Sequence, residues 1–170
     1  VDGALSRLTL GSPAITEAMV LATGAAVSRN IAELIKRTKY TYDLTRLDTV
    51  GQNLREQLSE VENGVWSMDE NGKVYDLHIP SVLMLENYKN DLFQYGNTLF
   101  VAGIVTDKLL EYLRIQKQAK DIELIVKDFT RIFASPEVYY AFVKKGSKIR
   151  VLWKSKLLGI CINPTSPQGY

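Results

Sequence analysis

The stretch that decides the fold reads Leu99-Phe100-Val101-Ala102-Gly103, then Thr106 to Lys117, then Ile122 to Asp128. An earlier stretch follows the same order: Met19-Val20-Leu21-Ala22-Thr23-Gly24, then Ser28 to Arg37, then Tyr42 to Asp48. Asp48 stands 24 positions after Gly24, and Asp128 stands 25 after Gly103. A short apolar run bounded by turn residues reads as a buried strand, and apolar residues three and four apart read as a helix face. Two strand–helix–strand units of this kind predict an α/β domain with at least part of its sheet parallel.

Working outward, Ser12-Pro13 has the form of a helix start. The run Ala18 to Ala22 closing on Thr23-Gly24 nevertheless matches Leu99 to Gly103, which favours a strand. Val27, Ile31, Leu34 and Ile35 form a helical stripe, and Tyr42 to Asp48 reads as the strand that follows. A second helix, with Leu54, Leu58 and Val61 on one side, runs from Val50 to Glu62 and stops at Asn63-Gly64. Val65 to Met68 and Val74 to Leu77 flank Asp69-Glu70-Asn71-Gly72-Lys73, a hairpin for which Asn-Gly predicts a type I′ turn. Pro80-Ser81 opens a helix expected to reach Leu92. Ser135-Pro136-Glu137 opens another through Val143, stopped by Gly146. Lys148 to Trp153 and Leu157 to Ile162 read as strands joined by a short turn.

The expected organisation is therefore a lead-in over 1–11 with an edge strand at Leu5 to Leu10, a single α/β domain over 12–162, and a loop or linker over 163–170. The domain has a mixed sheet with two βαβ-like units, an Asn-Gly hairpin and packed helices. Ile31, Leu34, Leu54, Leu58, Val101, Leu109, Leu113, Ile125 and Val151 are the expected core.

A chain of 170 residues with 46% apolar and 24% charged residues has the profile of one globular domain. A net charge of +2 neither demands nor excludes a polyanionic partner, so local charge must decide. One cysteine, Cys161, excludes an intramolecular disulfide. Together with the single histidine, His78, it leaves no zinc site of the usual Cys/His type. A reducing intracellular compartment is the simpler expectation. No apolar run approaches the ~20 residues needed to span a bilayer. The start at Val1-Asp2-Gly3 suggests a domain excised from a larger polypeptide.

In open α/β sheets ligands sit beyond the carboxyl ends of the strands. Here those ends carry Gly24, Asp48, Gly103, Thr106 and Asp128 as candidate ligand-binding residues, suited to a phosphate at a helix N-terminus. Neither glycine stretch has the spacing of a dinucleotide fingerprint, nor the lysine of a P-loop. Tight turns and an N-cap at Thr106 account for the same residues. Asp76, Glu86 and Lys89 resemble the Asp…Glu-x-Lys arrangement of restriction-type nucleases, but Glu and Lys are three apart in a helical stretch, so a solvated helix face explains them better. Cys161 in Gly159-Ile160-Cys161-Ile162 reads as a buried thiol. No cofactor motif is present.

The strongest local charge signal runs from Lys144 to Lys156. Lys144, Lys145, Lys148, Arg150, Lys154 and Lys156 fall within thirteen residues without an acid. On a strand, Lys148, Arg150, Leu152 and Lys154 share one face, opposite Ile149, Val151 and Trp153. Tyr139 and Tyr140 on the preceding helix offer stacking surfaces. Such a ribbon suits a phosphate backbone and equally suits a lysine-guarded edge strand.

The helix from Ser135-Pro136-Glu137 and the strand Lys145-Gly146-Ser147-Lys148-Ile149-Arg150-Val151-Leu152 resemble a helix–strand element of phospholipase D-like domains. Their His-x-Lys motif is absent, since Ile79 and Pro80 follow His78. Ala22-Thr23-Gly24-Ala25-Ala26-Val27-Ser28-Arg29 resembles part of the Alba-type nucleic-acid-binding fold, with the helix register departing by two residues. Each resemblance covers a few tens of residues, and neither implies an activity.

The expected function is a non-catalytic binding module of a larger protein, contacting nucleic acid or an acidic protein surface through the basic strand. Two alternatives stand beside it: an enzyme domain handling a small phosphorylated ligand or nucleotide at the strand ends, and a protein–protein scaffolding domain.

Overall fold

The computed structural model describes residues 11–82 and 91–165. The expected strand at Leu5 to Leu10, most of the helix expected after Pro80, Glu86 and Lys89, and the last residues of the tail lie outside them. In chain order the strands and α-helices are β1 (Ala18–Gly24), α1 (Ile31–Thr45), β2 (Asp48–Thr49), α2 (Gln52–Ser59), β3 (Val65–Met68), β4 (Val74–Ile79), β5 (Thr98–Val101), β6 (Val105–Thr106), α3 (Asp107–Arg114), β7 (Glu123–Val126), β8 (Ile132–Phe133), α4 (Pro136–Lys144), β9 (Lys148–Val151) and β10 (Lys156–Asn163).

A mixed six-stranded sheet in the order β2-β9-β7-β5-β3-β4 carries the fold. β2, β9, β7 and β5 run parallel, while β3 is antiparallel to both β5 and β4. The unit β5-α3-β7 closes on neighbouring parallel strands. The earlier unit spans two sheets, because β1 leaves the main sheet and pairs in parallel with β10. β6 and β8 form a third, minimal parallel pair just before α3 and α4.

Strands buried on both faces read as unbroken apolar runs. Leu99, Val101, Leu124, Val126, Ile149 and Val151 meet Leu109, Leu110 and Leu113 of α3, Tyr139 and Phe142 of α4, and Tyr40 and Leu44 of α1. On the opposite face Phe100, Ile125, Ala102 and Leu152 pack with Val50 and Leu58, supported by Leu54 and Val61. α3 and α4 start at expected caps, Thr106 accepting a bond from the Leu109 N–H, and Ser135-Pro136.

Several expectations need correction. Tyr42 to Thr45 is helix, not strand: Tyr40, Thr41, Leu44 and Thr45 are buried at helical spacing, and the Tyr40 ring lies edge-on to Tyr139 and Tyr140 of α4. Because α1 packs through this second half, Ile31 and Ile35 are 72% and 60% exposed and Leu34 is only half-buried; Leu54 of α2, at the margin of the opposite face, is half-buried as well. The hairpin forms, but its turn is not type I′. The Gly72 N–H bonds Asp69 O and the Asp69 N–H bonds Lys73 O, and only Gly72 takes a positive φ, +79°. This is a turn closed by a left-handed glycine, another common hairpin form. Asp69 braces it by accepting the Asn71 and Lys73 N–H groups.

The strand Lys148–Val151 is interior, between β7 and the two-residue β2, and therefore not an edge. Leu152 is fully buried and Trp153 exposed just past the strand, the reverse of the expected alternation. β10 does not fold back on β9 but runs to the small sheet, where Cys161 is exposed.

Candidate anion-binding surface

At the carboxyl ends of the parallel strands the expected ligand residues do not converge. Gly103 and Asp128 follow neighbouring strands β5 and β7, with Thr106 close behind. Asp48 lies on β2, two strands from β7, opposite Arg150. Gly24 ends β1 in the other sheet, where a Cβ would stand 1.9 Å from the Asn163 carbonyl oxygen, so its absent side chain serves strand pairing. Thr106 caps α3. Asp128 is 3% exposed. It accepts from the Ser12 hydroxyl (2.9 Å) and from the Thr130 N–H and hydroxyl, which fastens the chain at 11–12 over the strand end. α2 lies over the same end. The Lys127 ammonium donates to the Ser59 carbonyl and the Arg55 guanidinium sits 4.9 Å from the Trp153 ring centre. These residues hold the strand ends together.

The basic residues split into two groups. Lys154 donates to the Arg46 carbonyl and Lys156 opens β10, both near the carboxyl ends. Arg150 is half-buried and bonds Glu123 on β7 at 2.9 Å, so its charge is already paired. Tyr139 is buried, and Tyr140 donates to Asp43 at 2.6 Å. Burial, then the Asp43 bond, pushes the Tyr140 hydroxyl above its ordinary range. It is not a free stacking surface.

Lys144, Lys145 and Lys148 are exposed at the opposite end, where the parallel strands begin. There the loops before β7 and β9 are fastened together. The Ser147 hydroxyl donates to Ala119 O at 2.5 Å, the Lys148 N–H donates to Ile122 O at 2.9 Å, and Gly146 turns at φ +103°, where a Cβ would stand 3.1 Å from the Lys120 carbonyl oxygen. The result is an open depression of about 340 Å³ lined by Arg114, Ile115, Gln116, Lys117, Ala119, Lys120 and Lys145. No acidic side chain lines it, and among the described residues none of its four cations is in an ion pair. The Arg114 Nε is buried without a hydrogen-bond partner, and Ile115 stands 72% exposed among the charges.

Arg114, Lys117 and Lys120 were not among the residues expected from sequence. Their signal is a spacing of three within Arg114-Ile115-Gln116-Lys117-Gln118-Ala119-Lys120, a stretch free of acids. Arg114 and Lys144 also sit in last helical turns, where a cation offsets the helix dipole. Lys117, Lys120 and Lys145 lie beyond the ends of α3 and α4 and gain less from that effect.

His78 is exposed, in a left-handed conformation (φ +53°) at a bulge in β4, with Asp76 accepting its N–H at 2.7 Å. Among the described residues no helix is long and apolar enough to cross a membrane. No family model matches the chain, and neither the curated proteins nor the solved structures contain a match to it.

Proposed function

We propose that this domain is a binding module that docks an acidic protein segment in the depression formed by Arg114, Lys117, Lys120 and Lys145, with Lys144 and Lys148 on its rim. The observation that carries the reading is four cations that, among the described residues, enter no ion pair and line one depression together with an exposed isoleucine, where a buried serine bond ties two loops. Cations on a rigid frame attract an anionic partner without first breaking internal ion pairs. An exposed apolar residue in the lining favours a segment with its own apolar anchor over a phosphate backbone, whose contacts are to charge and hydrogen-bond donors.

The test is fluorescence anisotropy with a labelled peptide of alternating glutamate and leucine, beside single- and double-stranded oligonucleotides at low salt. The expected result is salt-sensitive peptide binding that the reversal Lys117→Glu/Lys120→Glu/Lys145→Glu weakens by on the order of tenfold or more. Oligonucleotide binding lost in the same reversal would replace the protein partner with nucleic acid. A wild-type domain that binds none of the probes would end the reading.

A further inference from the structure

The two edges of the main sheet are blunted, and the outer edge of β10 is not. At one side of the main sheet β2 has only two residues; at the other, β4 carries the His78 bulge and the charge of Asp76. Short edges, bulges and charges are how sheets avoid pairing with other chains. β10 has eight residues and pairs with β1 along one side, and among the described residues no strand pairs with its other side. From Leu157 to Asn163 it carries no charge, and Leu158, Ile160 and Ile162 are 63%, 40% and 71% exposed. A two-stranded sheet is marginal alone, and a free edge leaves main-chain N–H and C=O groups that only another strand satisfies in series.

We infer that the outer edge of β10 is the interface of a homodimer, in which two copies of β10 pair antiparallel about a twofold axis to make a four-stranded sheet. Charge selects the occupant and the direction. The only charge on β10 is Lys156 at its start. Antiparallel pairing over the full strand sets Lys156 of each copy beside Asn163 of the other, at opposite corners. Parallel pairing would stack the two lysines. An acidic segment of the kind proposed for the basic depression finds a single cation here, so the two surfaces call for different partners. A twofold axis makes any apolar, uncharged edge complementary to itself. In this register Cys161 faces Leu158 of the second copy, and the two Cys161 Cα atoms lie about 11 Å apart, from ~3.4 Å per residue along the strand and ~4.8 Å between strands.

Sedimentation velocity on the whole chain over a concentration series tests this, together with a bis-maleimide whose spacer matches that separation. The expected result is a concentration-dependent dimer that the reagent traps through Cys161. Ile160→Lys, at a part-exposed position, should keep the circular dichroism of wild type and weaken dimerisation by on the order of tenfold or more. Leu158→Lys should repeat the effect should Ile160→Lys fold poorly. The Lys117→Glu/Lys120→Glu/Lys145→Glu variant should dimerise as wild type does, which separates this surface from the basic depression. A wild-type chain that stays monomeric at the highest attainable concentration, or a dimer that both lysine variants leave unchanged, would overturn the inference.

Discussion

The Asp107 carboxylate accepts both the backbone N–H of Ser135, at 2.6 Å, and its hydroxyl, at 3.2 Å. The first residue of α3 is thereby fastened to the N-cap of α4, directly after the point where β6 and β8 pair. Asp107→Ala strands the partly buried Ser135 donors and should cost about 1–3 kcal/mol. Urea unfolding monitored by circular dichroism reads this out; a loss under half a kilocalorie would mean that water replaces the carboxylate freely.

The two ends of the helical layer should respond oppositely to truncation. Leu113 is fully buried between the sheet and α4, so Leu113→Ala should cost about 2–5 kcal/mol. Ile31 is exposed, and Ile31→Ala should stay within about 0.5 kcal/mol. Equal losses at both positions would contradict the way α1 packs.

Two glycines should resist substitution for different reasons. Gly72→Val puts a β-branched residue at φ +79° and should destabilise by roughly 1 kcal/mol or more. Gly24→Ala drives a methyl group into the Asn163 carbonyl and should loosen β1 from β10. Limited proteolysis between 156 and 165 is the sensitive measurement for Gly24→Ala, whereas Gly72→Val is read by thermal unfolding.

The acid limb of stability should depend on Asp43. Partial burial pushes its carboxyl up, but hydrogen bonds from Lys39 and Tyr140, with the Lys39 charge, hold it on balance below its ordinary value of 3.8. A lowered carboxyl stabilises the fold fully above that ordinary value, and the contribution is lost as pH falls through the folded value. Asp43→Asn should therefore be less stable than wild type at neutral pH, and the difference between the two proteins should narrow as pH falls below the ordinary value of 3.8. Urea midpoints across that range compare the two proteins.

The alkaline limb has the opposite sign. Burial pushes the Tyr139 hydroxyl up to about 12 and raises Tyr40 as well. Their contribution is complete below the ordinary tyrosine value of 10.0 and is lost as pH rises towards the folded values. Phenolate absorbance should show these tyrosines titrating late, and Tyr139→Phe should remove part of the late step.

How legible the fold was in the sequence depended on what each element buries. β5 and β7 are covered on both faces and showed as apolar runs, β9 showed as an alternation that buries Ile149 and Val151, and Thr106 and Ser135-Pro136 marked their helices. The second half of α1 escaped notice because it buries hydroxyls. Tyr40 donates to Ala134 O, Thr41 to Arg37 O and Thr45 to Tyr42 O, so residues that look polar are satisfied inside the fold. The type of turn at Asn71-Gly72 was lost to Asp69, whose carboxylate organises the loop from outside the dipeptide. The basic depression joins Arg114, Lys117 and Lys120 to Lys145 through bonds from Ser147 and Lys148 to a loop distant in sequence, and no local pattern encodes those contacts.

Exchange with solvent deuterium turns the pairing of the main sheet into a timetable. β7 lies in the middle of the sheet, hydrogen-bonded to β5 on one side and β9 on the other. The amides of Leu124, Ile125 and Val126 open only when the whole sheet opens, so they should be the last to exchange, at the rate of global unfolding. Those of β10 that point away from β1 should exchange within the dead time in the monomer. Protection appearing there as concentration rises would record two chains sharing one sheet.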